Sequence, residues 1–267
     1  MISDLPPPDH TRLGASPLEV VVWHLQFAEP ADVSPATVGH QVAAALGAHT
    51  RRQAHLTRLT PPTVTLSPGA GGEAPPRPDG DAINGWQVRV DELVVTLGQT
   101  SLAVETTRFH DWPTFQQVVE AVVAAFSDAV PEPPGEQRLG LRYVDRIARP
   151  EVRRITDWET WLEPWLLGVA AHPQLSGSVL RMAQQIDCDA GDGLSVTIRQ
   201  RAFNDMERRG QPTMLLDFDA FRDGYRSFAQ DDVLSATEEL NDISHRLFRA
   251  AITDRMYDAL REEPDLR

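Results

Sequence analysis

The sequence predicts an α+β protein in which long helices pack on one side of an antiparallel sheet. Between residues 85 and 109, three short alternating stretches follow one another, which is typical of a β-meander. Two longer stretches, 111–128 and 231–261, each carry one apolar stripe at helical spacing and so have one face to bury. The order strand, helix, three strands, long helix occurs twice, which predicts two similar halves.

The first predicted half spans residues 1–130. Residues 17–27 alternate like a strand, and a helix follows with Ser34 as its expected N-cap and Pro35 at its first helical position. A short strand is then predicted at 53–60, before a stretch at 61–80 that contains six Pro and four Gly and is expected to be a flexible surface loop. The meander comes next, and Asp111 is the expected N-cap of the helix that closes this half.

The second predicted half spans residues 131–267 and repeats this order. It is expected to contain a strand at 138–148, a helix at 157–167 with Asp157 as its N-cap, strands at 177–187, 193–203 and 212–219, and a closing helix at 231–261. The two halves are expected to join edge to edge in one curved sheet and to form one unit.

Composition limits the function classes. The net charge is −14, which argues against binding along a nucleic-acid backbone. Residues 138–210 are the exception, because 11 Arg and 10 acidic residues give this stretch a balance of +1. No apolar run is long enough to cross a membrane, and the acidic, Pro-rich start does not resemble a signal peptide. A cytoplasmic location is therefore expected, and the single cysteine, Cys188, suits a reducing compartment.

All 25 basic residues are arginine, since the sequence contains no lysine. A Walker A lysine, a protein-kinase strand lysine and a Schiff-base lysine are therefore excluded, and with them several enzyme classes. Eight histidines occur without a metal-binding spacing, and no nucleophile motif is present. No catalytic residue, metal or cofactor is expected.

Arginines mark the candidate ligand site. In "RLGLRYVDRI" (138–147), Arg142 and Arg146 point to one side of the strand, while Leu139, Leu141, Tyr143, Asp145 and Ile147 point to the other. Arg199 and Arg201 share a face of "VTIRQRAF", and Arg181 begins the polar part of the preceding predicted strand. Such a cluster suits a carboxylate or phosphate ligand. The favoured alternative is mutual neutralisation by acids, for which Glu105, Asp145, Asp217 and Asp219 are the candidates.

Three tryptophans mark a candidate protein-binding surface. Trp158, Trp161 and Trp165 fall on one face of the predicted helix 157–167, beside Leu162 and Leu166. Such an apolar face is most often core. If its end near Pro164 is exposed, it is expected to be a protein-binding hot spot.

The segments "PLEVVVWHLQF", "SLAVETTRFHDWPTF", "RLGLRYVDRI", "LLDFDAF" and "LNDISHRLFRAAITDRMYDAL" resemble, in this order, a sporadically distributed prokaryotic family of conserved hypothetical proteins. The most specific part is Gly140-Leu141-Arg142-Tyr143 followed by Arg146-Ile147. The family commonly has Asn where this chain has Asp145, which argues against a catalytic role for this carboxylate. The resemblance implies one full-length unit, and the patchy distribution of the family resembles that of defence or toxin–antitoxin loci.

The sequence thus favours a non-enzymatic cytoplasmic protein that interacts with another protein, as an accessory component of a mobile locus. A homodimer is the alternative assembly, and nucleic acid is not an expected partner. The alternative function is an enzyme or sensor that binds a small anionic ligand on the arginine-bearing face.

Overall fold

The computed structural model describes residues 2–8, 13–59, 84–172, 174–175, 178–206 and 210–262. Within these ranges, nine strands form a single antiparallel sheet, and helices complete an α+β fold. This confirms the predicted α+β class and the antiparallel sheet. The loop expected at 61–80 lies outside the described residues.

The strands are β1 (Leu18–Phe27), β2 (His55–Leu59), β3 (Gly85–Val90), β4 (Leu93–Gly98), β5 (Ser101–Thr106), β6 (Glu136–Ala148), β7 (Met182–Gly191), β8 (Leu194–Asp205) and β9 (Gln211–Arg226). The α-helices are α1 (Ala36–Thr50), α2 (Trp112–Ala129), α3 (Pro164–Leu167), α4 (Gln230–Ala251) and α5 (Asp254–Glu262), and short 3-10 turns cover Ile2–Asp4, Ile155–Thr160 and Gly168–Ala171. No helix in the described part of the chain is long and apolar enough to cross a membrane.

The strands follow the order β2-β3-β4-β5-β1-β6-β9-β8-β7 across the sheet. The meander β3–β4–β5 is as predicted, and so is its position before α2. β1 and β6 pair with each other at the centre of the sheet. On its other edge, β1 pairs with β5, the last strand of the first meander. In the same way, β6 pairs with β9, the last strand of the second meander. Strand β6 therefore has a neighbour along both of its edges.

The helices meet the sheet through aromatic side chains. Trp23 of β1 donates a hydrogen bond from its indole Nε1 to Thr237 of α4 over 2.9 Å. Phe27, also on β1, stacks on Phe126 of α2, with ring centroids 5.1 Å apart. A Cβ on Gly39 of α1 would lie 2.6 Å from the ring of Trp86 on β3, so only glycine lets these two elements approach so closely.

The helix starts are partly as predicted. Asp111 caps α2 by accepting a hydrogen bond from the backbone N–H of Thr114 over 2.8 Å. The predicted cap of α1 is wrong, because the helix begins after Pro35, and Ser34 instead donates its hydroxyl to Asp32.

Two predicted helices are interrupted. The single helix expected at 157–167 is wrong: a 3-10 turn ends at Thr160, and α3 begins only at Pro164. Proline restricts the residue before it to extended backbone, and Glu163 has φ −67° and ψ 144°. The expected continuous helix at 231–261 is also wrong, because Ile252 leaves the helix and forms a β-bridge with Leu162.

The turn at 155–160 is capped differently from the prediction. Arg154 occupies the N-cap position that the sequence assigned to Asp157. The Asp157 carboxylate accepts backbone hydrogen bonds from Arg153 and Arg154, each over 2.9 Å. Burial alone would raise the pKa of Asp157, but these hydrogen bonds lower it below its ordinary value.

Candidate functional site

The two faces of β6 differ in the way that its alternation predicts. Leu139, Leu141, Tyr143 and Ile147 are buried on the face toward α4, where the Tyr143 hydroxyl donates to Asn241 over 2.8 Å. Asp145 is on this face as well and is only 4% exposed. It therefore lies on the side of β6 opposite to Arg142 and Arg146. The hypothesis that Asp145 neutralises these arginines is wrong.

Arg142 forms a two-point ion pair with Asp217 of the adjacent strand β9. Its Nε and Nη2 atoms each lie 2.7 Å from a different carboxylate oxygen. This hydrogen bonding raises the pKa of Arg142 above its ordinary value. The Arg142 side chain nevertheless remains 46% exposed, whereas that of Asp217 is 10% exposed. The pair therefore lies at the surface of the sheet, with its carboxylate on the inner side.

Asp219, two residues further along β9, is held in a similar way by a different arginine. Arg138 donates from Nη2 to Asp219 over 3.0 Å, and its guanidinium lies 4.4 Å from the ring centroid of Phe221. Asp217 and Asp219 share a strand face, and both are engaged by arginines, as the alternative of mutual neutralisation predicted.

Arg146 pairs with acids that the sequence did not indicate. Its Nε donates to Glu19 of β1 over 2.9 Å, and its Nη1 donates to Asp205 of β8 over 2.8 Å. The hydrogen bond to Glu19 makes the largest contribution to raising the pKa of Arg146. Its side chain is 22% exposed, and that of Asp205 is 5% exposed. Arg146 thus links three elements far apart in sequence, which only the folded register brings together.

Arg199 and Arg201 are held less tightly than Arg142. Nη1 of Arg199 is 3.6 Å from Asp217 and 3.7 Å from Asp219, which is within ion-pair range but too long for a hydrogen bond. Its Nε donates to Gln185 over 3.2 Å. Arg201 is exposed, its guanidinium lies 5.1 Å from the ring centroid of Phe203, and no carboxylate among the described residues pairs with it.

Three of the predicted arginines line one depression of about 510 Å³, which we call the arginine pocket: Arg142, Arg199 and Arg201. Gln185 and Asp217 contribute further polar groups to it, and Val144 and Leu215 contribute apolar surface. Arg146 does not line it. Arg181 is exposed immediately before β7 and also lies outside the pocket. The structure therefore brings together three of the five arginines that the sequence proposed as one site.

A buried ion pair on the opposite face of the sheet was missed in the sequence. Arg222 of β9 donates from Nε and Nη2 to the two oxygens of Glu136 on β6, over 2.6 and 2.8 Å. It also reaches Asp232 of α4 over 2.7 Å. Burial alone would lower the pKa of Arg222, but the hydrogen bonds to Glu136 and Asp232 raise it, so the side chain stays charged.

The three predicted tryptophans have different environments. Trp158 and Trp161 are buried, with 0% and 4% exposure, and so belong to the core. The Trp161 ring also lies between two guanidinium groups, those of Arg149 and Arg255 at 4.7 and 4.4 Å from its centroid. Trp165 is 40% exposed, although its indole N–H donates to the carbonyl of Ala250 over 2.9 Å. Only this third tryptophan is available to a partner.

Exposed apolar side chains concentrate in the stretch of sequence from Trp165 to Leu180. Of the six large apolar side chains that are exposed in the described part of the chain, four lie from α3 to the start of β7: Trp165, Val169, Leu175 and Leu180, at 40%, 59%, 50% and 86% exposure. We call residues 164–181 the apolar segment, of which 173, 176 and 177 lie outside the described ranges. Exposed apolar side chains that form a contiguous patch are typical of protein-interaction sites.

No family model matches the chain, and no curated protein matches it. Among the residues that the structure describes, no three His, Cys, Asp or Glu side chains lie close enough together to hold a metal ion.

Proposed function

We propose that the protein is a non-enzymatic cytoplasmic interaction protein, which binds another protein through the apolar segment. The observation that carries this proposal is the concentration of four exposed apolar side chains between Trp165 and Leu180. Exposing such side chains to water is unfavourable, and a protein partner would bury them. A half-exposed tryptophan is also the residue type most typical of interface hot spots.

Charge indicates what kind of partner fits this surface. Arg181 directly follows Leu180, is exposed, and has no carboxylate partner among the described residues. In a chain of net charge −14, an exposed arginine beside apolar side chains favours a partner that offers apolar residues flanked by carboxylates. A second copy of this acidic chain is the alternative partner.

The partner is proposed to belong to the same mobile defence or toxin–antitoxin-like locus, for which the present protein would act as an accessory component. Support for this comes from the resemblance of the chain to a sporadically distributed prokaryotic family. The absence of lysine and of nucleophile motifs from the sequence supports a role in binding over one in catalysis.

The experiment begins with purification of the tagged full-length protein from its native host and identification of any protein that copurifies. The dissociation constant of the purified pair is then measured by calorimetry. Trp165→Ala and Leu180→Ser should each weaken binding by roughly tenfold or more, because hot-spot truncations cost about 2 kcal/mol. Arg181→Ala should mainly slow association, and its effect should fall with added salt.

Tyr225→Ala and Met206→Ser are matched controls. Both side chains are exposed, at 69% and 83%, but lie outside the apolar segment. They should leave the dissociation constant unchanged. Equal losses in controls and segment variants would contradict the proposal, as would a partner whose binding none of these variants weakens. Self-association measured by light scattering and lost in the Trp165 variant would assign the segment to a homodimer instead.

We also propose that residues 1–130 and 131–267 are two similar halves whose long helices α2 and α4 lie on one side of the sheet. The equivalent pairings of β1 with β5 and of β6 with β9 support this layout. Further support comes from β1, which contacts α4 through Trp23 and α2 through Phe27. An experimental structure tests the proposal, since it should superpose β3–β4–β5–β1 on β7–β8–β9–β6. Long helices on opposite faces would contradict it.

A further inference from the structure

The arginine pocket carries an excess of positive charge in an acidic protein. Its three guanidinium groups, those of Arg142, Arg199 and Arg201, face one carboxylate in the lining, that of Asp217. The lining therefore has a local balance of +2, whereas the chain has a net charge of −14. A small anion that reaches this face is attracted here and repelled by much of the remaining surface.

The guanidinium groups differ in how many donors remain available. Arg142 uses Nε and Nη2 for its two-point contact with Asp217, each over 2.7 Å. Among the described residues, Arg199 makes one hydrogen bond, to Gln185, and its contacts with Asp217 and Asp219 are 3.6 Å or longer. Arg201 makes no hydrogen bond to a carboxylate of the described residues. Among the described residues, most of the N–H groups of Arg199 and Arg201 have no hydrogen-bond partner and so are available to a ligand.

The positions of these two arginines suit a shared ligand. They lie two residues apart on one face of β8, which places their Cα atoms about 7 Å apart. Long side chains at this separation can direct N–H groups to the same anion. Leu215 is the register partner of Arg201 on β9, and Val144 lies across from Asp217 on β6. Both apolar side chains are partly exposed and lie next to the charged groups.

We propose that the arginine pocket binds a small organic anion, a carboxylate or a phosphate monoester, between Arg199 and Arg201, with its apolar body against Val144 and Leu215. Asp217 acts in this site as an internal competitor, since its carboxylate occupies Arg142 and attracts Arg199. This binding function goes beyond protein interaction.

Calorimetric titration of the full-length protein with phenyl phosphate, inorganic phosphate and benzoate tests the proposal, against chloride at the same ionic strength. Phenyl phosphate should bind more tightly than inorganic phosphate, because the pocket adds apolar contacts. Benzoate separates the two anion classes, since comparable binding indicates a carboxylate ligand and much weaker binding a phosphate ligand. Absence of binding by all three probes would overturn the proposal.

Variants of the arginines locate the binding. Arg201→Gln and Arg199→Gln should each weaken phenyl phosphate binding by about tenfold or more, the usual effect of losing a charged hydrogen bond. Arg89→Gln is the matched control, because Arg89 is exposed on β3, which lies near the edge of the sheet opposite to β8. This substitution should leave phenyl phosphate binding unchanged. If Arg89→Gln weakens binding as much as Arg201→Gln, the attraction is non-specific and the assignment is wrong.

Asp217→Asn most directly distinguishes a defined anion-binding site from non-specific attraction of anions to the surface charge. The neutral amide no longer competes for Arg142 and Arg199, so the affinity for phenyl phosphate should rise by about tenfold. An unchanged or lower affinity in a folded Asp217→Asn protein would contradict the role of Asp217 as a competitor. Val144→Asp in the wild-type background provides an independent check, because it adds a carboxylate to the same lining and should abolish binding.

Discussion

Replacing Arg222 with alanine removes one partner of the most deeply buried ion pair described. Arg222 and Glu136 are 5% and 1% exposed, and two short hydrogen bonds join them. After the substitution, the Glu136 carboxylate would lie in the interior without its guanidinium. An uncompensated buried charge is costly, because the protein interior screens it far less than water does.

Loss of one partner from a buried pair typically costs about 3–5 kcal/mol in the free energy of unfolding. A chain of 267 residues has an unfolding entropy of about 0.56 kcal/mol/K from average values per residue. Arg222→Ala should therefore lower the melting temperature by about 5–9 °C. Glu136→Gln should cost less, since Asp232 remains as a charged partner of Arg222 over 2.7 Å.

The assay is urea unfolding followed by circular dichroism, with calorimetry for the melting temperature. Arg226→Ala is the control, because Arg226 is exposed and lies opposite Glu136 in the strand register, so its loss should cost at most about 0.5 kcal/mol. The double variant Arg222→Met, Glu136→Leu should recover most of the stability, since both charges are gone. A cost below about 1 kcal/mol for Arg222→Ala would refute the reasoning that the pair is buried and charged.

Three further predictions concern the central strands. Burial lowers the pKa of His24 below 6.5, so the unfolded chain binds the imidazole proton more tightly than the folded protein does. The free energy of unfolding should therefore fall as the pH drops below about 6.5. In urea titrations at pH 7 and pH 5, His24→Gln should show a smaller fall. Arg146→Ala should cost about 2–3 kcal/mol and Arg142→Ala only about 1 kcal/mol, because their side chains are 22% and 46% exposed; equal costs in urea unfolding would contradict this. Trp23→Phe keeps an aromatic ring but loses the hydrogen bond to Thr237. It should lower the free energy of unfolding by about 1–2 kcal/mol. An unchanged free energy of unfolding would mean that this hydrogen bond does not hold α4 to the sheet.

Local periodicity was sufficient to predict elements whose structure depends on residues close together in the sequence. The meander, the Asp111 cap and the apolar stripe of α2 all follow from residues within a few positions of one another. The same reasoning failed for the predicted helix 157–167 and the end of the closing helix. Both are interrupted by one contact, in which Leu162 and Ile252 pair across 90 residues. Local propensity cannot indicate such a contact, although Pro164 was a signal for the first interruption.

The candidate site shows a similar division. The alternation of β6 predicted which side chains share a face, and Asp217 and Asp219 were among the acids expected to neutralise the arginines. Glu19 and Asp205 could not be identified, because their contact with Arg146 depends on the pairing of β1 and on how the chain continues from β8. For Arg222, by contrast, the sequence contained a signal for a buried ion pair.

That signal is a period of two along β9. Leu216, Phe218 and Ala220 alternate with acids and are fully buried, so position 222 continues the buried face. An arginine at such a position must have a fixed acidic partner. Glu136 opens the strand that pairs with β9, and Asp232 lies in the first turn of the following helix. The sequence therefore contained enough information to expect an ion pair at Arg222, although not the identity of both acids.

Arginine thus has two different roles on the two faces of this sheet. On the face toward α4, Arg222 and Glu136 are enclosed, so no ligand can compete for the guanidinium and the pair contributes only to stability. On the opposite face, Arg142 is 46% exposed, and a carboxylate supplied by a ligand has the same chemistry as that of Asp217. A ligand can therefore replace Asp217 as the partner of Arg142, whereas no ligand can replace Glu136 as the partner of Arg222. This difference is why substitutions of Arg222 should change the melting temperature, whereas those of Arg199 and Arg201 should change anion affinity.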